Sequence, residues 1–394
     1  MVSCVSHIRK ELNMENKNET KIALTAEEIE ENRETEFGLS GLFRGVGDAE
    51  CAPLALARSK EGMLMQEYMA VMGLGEDTEA SRTYWANYGK GLKKELHGDP
   101  ADVHSRWASY IPLEAGRDDT RRFPLIFCLH GAHNPIHLTE SYGIVQLAAR
   151  EECIVIAPEN ENLDNILSLL EYAKANYPVD ESRVYSIGYS FGGFMTARNT
   201  LERPDVFAAA GMGGMLFAGD VIAHELDGQF YPEYKLTEEM LKKAEELELP
   251  AALFMGEHEM LHLEPLWREP TEGIRNGVIP LAPENKHKAF NNWRRAAGCK
   301  PCDFEHPAEF YQNHSDPAVK SIGAEFERTE VRTYNERRYF IGDSVKPDGE
   351  CLFRTISCEG MVHWPTTVFA DLIWEHISRF ARDTETGKLI RIKK

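Results

Sequence analysis

The sequence predicts an α/β protein with a mostly parallel central sheet and helices on both faces. Three observations carry this. Apolar runs of strand length alternate with helical patterns from about Trp107 onward. One of these strand-to-helix junctions reads Gly188-Tyr189-Ser190-Phe191-Gly192-Gly193. The chain is 394 residues long and 42% hydrophobic, enough to bury one large core with additions.

The strand-like runs fall at 106–113, 124–129, 152–157, 183–188, 207–212, 250–255 and 351–357. Helical patterns lie between most of them, at 139–150, 163–177, 191–202 and 238–248. In the second of these, Leu163, Ile166, Leu167, Leu170 and Ala173 recur at helical spacing, which gives that helix one buried face. A last helix over 367–380 repeats the pattern with Phe369, Leu372, Ile373, Ile377 and Phe380. Alternation of this kind implies parallel strands joined by crossover helices. Residues 1–100 read as a polar, partly helical N-terminal extension. Met63, Met65, Met69 and Met72 within it mark a helix packed on a neighbour.

The charge balance is 44 Lys+Arg against 64 Asp+Glu, a net charge of -20. So acidic a chain repels nucleic acid and anionic membranes, and no apolar run is long enough to span a bilayer. The expected partner is a neutral or cationic small molecule, and a homo-oligomer is compatible with the chain. The first ten residues lack an apolar leader core, so reduced thiols and a cytoplasmic location are expected.

The junction at 188–193 carries the chemistry. G-x-S-x-G between a strand and a helix is a nucleophile elbow: a turn so tight that small residues must flank the serine, whose hydroxyl is left exposed. A serine hydroxyl attacks only when a base removes its proton, and the base is held by a carboxylate. The chain order on such a sheet is Ser, then acid, then His. His363 is the candidate base, in the loop between the strand Leu352-Phe353-Arg354-Thr355-Ile356 and the last helix. His376, His306 and His314 are poorer fits, one helical and two in polar loops. Glu259 is the candidate acid, just past the strand Pro250–Met255, with Glu257 as the alternative. The oxyanion hole needs two backbone N–H donors. Phe191 supplies one and Ala132 or His133 the other, in His130-Gly131-Ala132-His133 after the strand Pro124–Leu129. Each contributes roughly 3–4 kcal/mol to the transition state.

Together these residues resemble an α/β-hydrolase of the polyhydroxybutyrate depolymerase and feruloyl or acetyl-xylan esterase-like group. The resemblance rests on Pro124–Asn134, Val179–Tyr185, the elbow, Pro204–Ala209, Asn292-Trp293 with Gly298-Cys299, and His363-Trp364-Pro365, and it spans about 105–380. It implies the α/β-hydrolase fold and a Ser190, Glu259, His363 triad. The family usually carries Asp where Glu259 stands and Gly where Val362 precedes the histidine. Most relatives are secreted whereas a cytoplasmic location is expected here, so a soluble ester rather than a polymer is the expected substrate. The core then comprises 101–262 and 346–394. The long interval 263–345 reads as a cap or set of long loops, whose aromatic residues (Trp267, Trp293, Phe304, Phe310, Tyr311, Tyr334, Tyr339) partly line a pocket.

The expected activity is serine-dependent hydrolysis of a carboxylic ester, with no cofactor and no metal. A peptidase or amidase, or a thioester or lactone hydrolase, would use the same groups. A hydrolase-fold binding protein without activity is the reading from another class. His258-Glu259-Met260-Leu261-His262 also matches the zinc-protease pattern H-E-x-x-H, but it follows a strand and Gly256 rather than lying inside a long helix. Cys299 and Cys302 form a lone C-x-x-C without the second pair a structural zinc needs.

Overall fold

The computed structural model describes residues 79–117, 120–131, 136–216, 224–226, 229–231, 235–257, 265–267, 283–334, 337–361, 365–366 and 368–393. The methionine-rich stretch at 63–72 lies outside them. The strands, in chain order, are β1 (Leu92–His97), β2 (Trp107–Pro112), β3 (Phe123–Leu129), β4 (Ile154–Pro158), β5 (Val179–Tyr189), β6 (Ala209–Gly213), β7 (His224–Leu226), β8 (Gln229–Tyr231), β9 (Ala251–Gly256), β10 (Arg328–Tyr334), β11 (Arg337–Val345), β12 (Cys351–Cys358), β13 (Phe380–Arg382) and β14 (Leu389–Arg391). The α-helices are α1 (Glu79–Tyr88), α2 (Ile144–Glu151), α3 (Leu163–Asn176), α4 (Phe191–Glu202), α5 (Glu238–Glu246), α6 (Pro283–Ala296), α7 (Ala308–Gln312), α8 (Pro317–Ile322) and α9 (Phe369–Ile377).

Ten strands form one sheet in the order β1-β2-β4-β3-β5-β6-β9-β12-β11-β10. The six from β4 to β12 are mutually parallel, and antiparallel pairs close both ends. β3, β4, β6 and β9 are buried along their whole length, which is why they read as unbroken apolar runs. Alternate residues of β3 serve opposite faces. Leu125, Phe127 and Leu129 pack with α3, α4, α5 and α6, while Ile126 and Cys128 pack with α2 and α9. Helices therefore cover both faces, as the alternating pattern requires.

Two expected boundaries change. Part of the interval 263–345 belongs to the core: β10 and β11 extend the main sheet beyond β12, and Phe290 and Trp293 of α6 are buried in the main apolar cluster. Trp293 stacks on Phe353 and Tyr339 meets Phe254, so these rings are packing rather than pocket lining. At the other end, the extension assigned to 1–100 contributes β1 to the sheet. Both outer strands were hidden by composition. An edge strand carries charge to prevent pairing with another chain, and β1 reads LKKELH while β10 reads RTEVRTY. Among the described residues no helix is long and apolar enough to cross a membrane.

The chain runs from β3 through α2 to β4, then through α3 to β5 on the other side of β3. The sheet order reverses there, and the crevice beyond the C-terminal ends of β3 and β5 is where open α/β sheets bind ligands.

Candidate active site

Ser190 stands in that crevice. It joins the end of β5 to the first residue of α4 with φ 58° and ψ -122°, a backbone conformation that L-residues avoid and that surrounding structure must enforce. Its amide donates to the Gly213 carbonyl at the end of β6, 2.8 Å away, and its carbonyl accepts the Phe194 amide at 3.0 Å. The neighbouring glycines are required by contact. A Cβ on Gly188 would lie 2.2 Å from the Gly192 carbonyl oxygen. One on Gly192 would lie 2.3 Å from that of Leu129, and one on Gly193 2.5 Å from that of Gly213. The turn thus rests directly on the backbone of both flanking strands, β3 and β6. Phe191 opens α4, at the positive end of the helix dipole.

The other expected groups are reached through their flanks. Ala132 and His133 lie outside the described residues. Their neighbours His130 and Gly131 are buried, and the His130 carbonyl would sit 2.6 Å from a Gly192 Cβ, so this loop starts against the elbow. Glu259 also lies outside the described residues, as does the whole H-E-x-x-H stretch. Glu257 lies just past β9. Its amide donates to the Cys358 carbonyl at 2.9 Å, and its carboxylate accepts the Gly360 amide at 3.0 Å. His363 lies outside the described residues too. The turn leading to it is held by Glu257, by Arg337, which donates to the Glu359 carbonyl at 2.6 Å, and by an Arg338–Glu359 ion pair. β9 and β12 end side by side, with Gly256 opposite Cys358. The segments carrying Ser190, Glu259 and His363 therefore leave the same edge of the sheet.

His376 is buried in α9, its Nε2 3.2 Å from the Leu352 carbonyl. Burial, helped by the charges of Arg354 and Arg379, pushes the ring down to about 3. It stays neutral and structural. Cys299 and Cys302 are free, buried thiols turned toward the carbonyls of Ser344 and Glu325. Burial pushes the Cys299 thiol up to about 11, the opposite of a reactive cysteine. Among the described residues no group of three or more His, Cys, Asp or Glu is arranged to hold a metal ion.

Sequence reasoning missed one feature of this edge. Glu159 and Glu161, beyond β4, turn back toward His130, with Nε2 3.6 Å from one carboxylate and 3.9 Å from the other. The available signal was two alternating glutamates directly after a fully apolar strand at the switch point.

A parallel sheet with a strained serine turn between one of its strands and the following helix is the arrangement of the α/β-hydrolase fold. Residues 157–245 match the prolyl oligopeptidase family. Poly(3-hydroxyalkanoate) depolymerase C of Paucimonas lemoignei is 29% identical over 109 residues, covering 22% of this chain and 26% of that protein. The chain thus spans about a quarter of the length of this relative. Among solved structures, an acetyl xylan esterase from Aspergillus awamori aligns with TM-score 0.42 and 14% identity over 73% of this chain and 99% of that one. A ferulic acid esterase from Anaeromyces mucronatus aligns with TM-score 0.31 and 12% identity over 52% and 79%.

Proposed function

We propose that the protein hydrolyses a soluble carboxylic ester through a Ser190–His363–Glu259 triad. The observation that carries this is the backbone of Ser190, held at positive φ by glycine contacts to both neighbouring strands. Ser190 attacks the ester carbonyl while His363 takes its proton. Glu259 holds the ring, and the amides of Phe191 and of Ala132 or His133 meet the oxyanion. His363 then protonates the leaving alcohol, the acyl group stays on Ser190, and water releases it by the reverse sequence. The substrate is a small molecule, and the compartment proposed is the cytoplasm.

Chain reach supports the assignment. β9 and β12 lie two and three strands from β5, roughly 10 and 14 Å across the sheet. His363 is five residues past the end of β12, and the turn closed by the Met361 amide on the Cys358 carbonyl at 3.3 Å keeps the start of that segment at the strand end. Glu257 remains the alternative acid, and its bond to the Gly360 amide also makes it a support for the turn before the base.

The match of 157–245 to the prolyl oligopeptidase family favours one second reading, cleavage of a peptide or amide by the same groups. A panel of esters varied in acyl and alcohol parts, with peptide and amide members, separates the two. Ser190→Ala should abolish turnover of the preferred substrate and labelling by a fluorophosphonate while the thermal melt is retained. Turnover by that variant would remove Ser190 from the mechanism.

A further inference from the structure

The crevice around Ser190 has two unlike sides. Toward β3 and β4 it is polar: His130, Glu159 and Glu161 face one another there. Toward β6 it is apolar. The chain at the end of β6 reads Gly213-Gly214-Met215-Leu216, and α4 opens Phe191-Gly192-Gly193-Phe194, with no ionisable side chain in either run. Backbone contacts bring the two runs together at the serine. The Gly213 carbonyl accepts the Ser190 amide at 2.8 Å, and a Cβ on Gly193 would lie 2.5 Å from the same oxygen. The Gly214 amide donates to the Phe254 carbonyl at 2.9 Å, and the chain turns there at φ 65°, a conformation open to glycine. Met215 follows at once, so it stays within two residues of the oxygen that holds Ser190.

The apolar side is unevenly sealed. Phe194 and Leu216 are 8% and 2% exposed and belong to the main apolar cluster. Phe191 and Met215 pack against that cluster but are only half-buried. Phe191 stacks on Phe194, with ring centroids 5.9 Å apart and planes 26° apart, which fixes one face of its ring. A single half-exposed apolar side chain is ordinary on a surface. Here a ring and a thioether flank one nucleophile, Phe191 next to it in sequence and Met215 two residues past its hydrogen-bond partner. An unbranched thioether adapts to ligands of varied shape, and sites for small molecules are mostly apolar with a few placed polar groups.

We propose that Phe191 and Met215 form the wall that receives the acyl chain, making the substrate an ester of an apolar carboxylic acid. The direction follows from the two faces of the sheet. Under the proposed mechanism the leaving alcohol must meet His363, whose loop runs into α9. α9 packs in the second apolar cluster, on the opposite face of the sheet from Phe191 and Met215. With the oxyanion held on the β3 side, the acyl chain is the substituent left to face the β6 side. A charged or strongly hydrated acyl group would lose its water against a ring and a thioether that offer no comparable hydrogen bond. This inference rests on the hydrolase reading of Ser190 and adds to it the chemical class of the acid.

The test is kcat/KM for p-nitrophenyl esters from acetate to octanoate, beside a series of acetates varied in the alcohol. Wild-type values should rise by about two- to fourfold for each of the first acyl methylenes, fourfold being full removal of a methylene from water. Met215→Gln, close to methionine in length and volume, should lower the butyrate-to-acetate ratio by about three- to tenfold and leave the alcohol series unchanged. Phe191→Leu keeps the backbone amide and should lower the same ratio. A merely structural role would lower melting temperature and slow every ester alike, leaving the ratio at its wild-type value. A wild type indifferent to acyl length, a ratio unmoved in both variants, or an effect that follows the alcohol overturns the inference. Should Phe191→Leu not fold, Met215→Gln, at a half-buried position, decides alone. Alkyl fluorophosphonates of increasing chain length separate the two readings. Wild-type protein that is labelled without preference for longer chains overturns the acyl wall alone, and protein neither labelled nor active sinks the hydrolase reading itself.

Discussion

Gly192→Ala probes whether the elbow and the loop after β3 are locked together through backbone. The added Cβ would stand 2.3 Å from the Leu129 carbonyl oxygen and 2.6 Å from that of His130, against an ordinary contact of at least 3.4 Å. Both carbonyls must retreat by about 1 Å, or α4 must tilt away from them. Neither carbonyl is the loose end of a side chain: Leu129 ends a strand that is buried throughout. Overpacking of this kind costs about 1–3 kcal/mol, read as a fall in melting temperature of roughly 1–4 °C for a chain of this length. The effect on rate is larger. A displacement of about 1 Å in a group that meets the transition state lowers kcat by about 100-fold. Under the proposed mechanism KM changes little, because the loop meets the developing oxyanion more than the bound ester. Steady-state hydrolysis and a thermal melt measure both quantities. A kcat within about threefold of wild type together with an unchanged melt would refute backbone locking.

Two further predictions follow from single residues. Ser190→Gly removes the side chain from a backbone at φ 58°, ψ -122°. It should raise stability by about 1 kcal/mol while abolishing turnover, since relief of strain exceeds the entropy cost of glycine; a lower melting temperature would show the turn to be unstrained. Arg354→Leu leaves Asp343 buried without its main partner, which donates to it from Nε at 2.7 Å, and should cost about 3–5 kcal/mol. Burial pushes the Asp343 carboxyl up, yet bonds and charge from Arg354 outweigh it and hold the group down to about 2. A depressed acid stabilises the fold above its ordinary range and loses that contribution as pH falls toward about 2. Urea unfolding at pH 7 and pH 3 should show a larger acid loss in wild type than in the variant, which keeps Arg328 beside Asp343 and the other depressed carboxylates such as Asp205.

The parts of the fold legible in the sequence are those where one physical requirement acts alone. β3, β4, β6 and β9 lie within the buried middle of the sheet and carry no polar side chain, so the runs at 124–129, 152–157, 207–212 and 250–255 stand out, and the run at 351–357 remains legible although β12 also buries Arg354, Thr355 and Ser357. β5 is longer than its run at 183–188, because Asp180, Glu181 and Ser182 extend it through a partly exposed stretch. β1 and β10 answer to two opposed requirements, pairing inward and repelling other chains outward, and their charged residues, Lys93 to Glu95 in one and Arg328, Glu330 and Arg332 in the other, mask them. The elbow was legible because its requirement is steric and local. Gly188, Gly192 and Gly193 each face a backbone carbonyl too near for any side chain. The stretch Pro158-Glu159-Asn160-Glu161-Asn162 reads as a polar loop, since nothing adjacent in sequence reports that the Glu161 side chain turns inward to an imidazole 31 positions earlier.

That contrast also bears on how the site is built. The turn at Ser190 touches the end of β3 through Gly192 and the end of β6 through Gly193, while Asn199 of α4 holds the segment after β4. Three loops at the switch point are therefore fastened to the nucleophile helix by contacts that involve no substrate. Groups fixed in this way cannot readjust as charge develops on an oxyanion, and such preorganised donors lower the barrier more than mobile ones. The same rigidity leaves selectivity to be set elsewhere. Under the proposed mechanism, a frame that presents Ser190 and the loop after β3 identically to any acyl compound does not itself distinguish an ester from an amide. Choice between them must come from side chains that meet the leaving group, which is why an ester and peptide panel, rather than any change at the elbow, is the informative experiment.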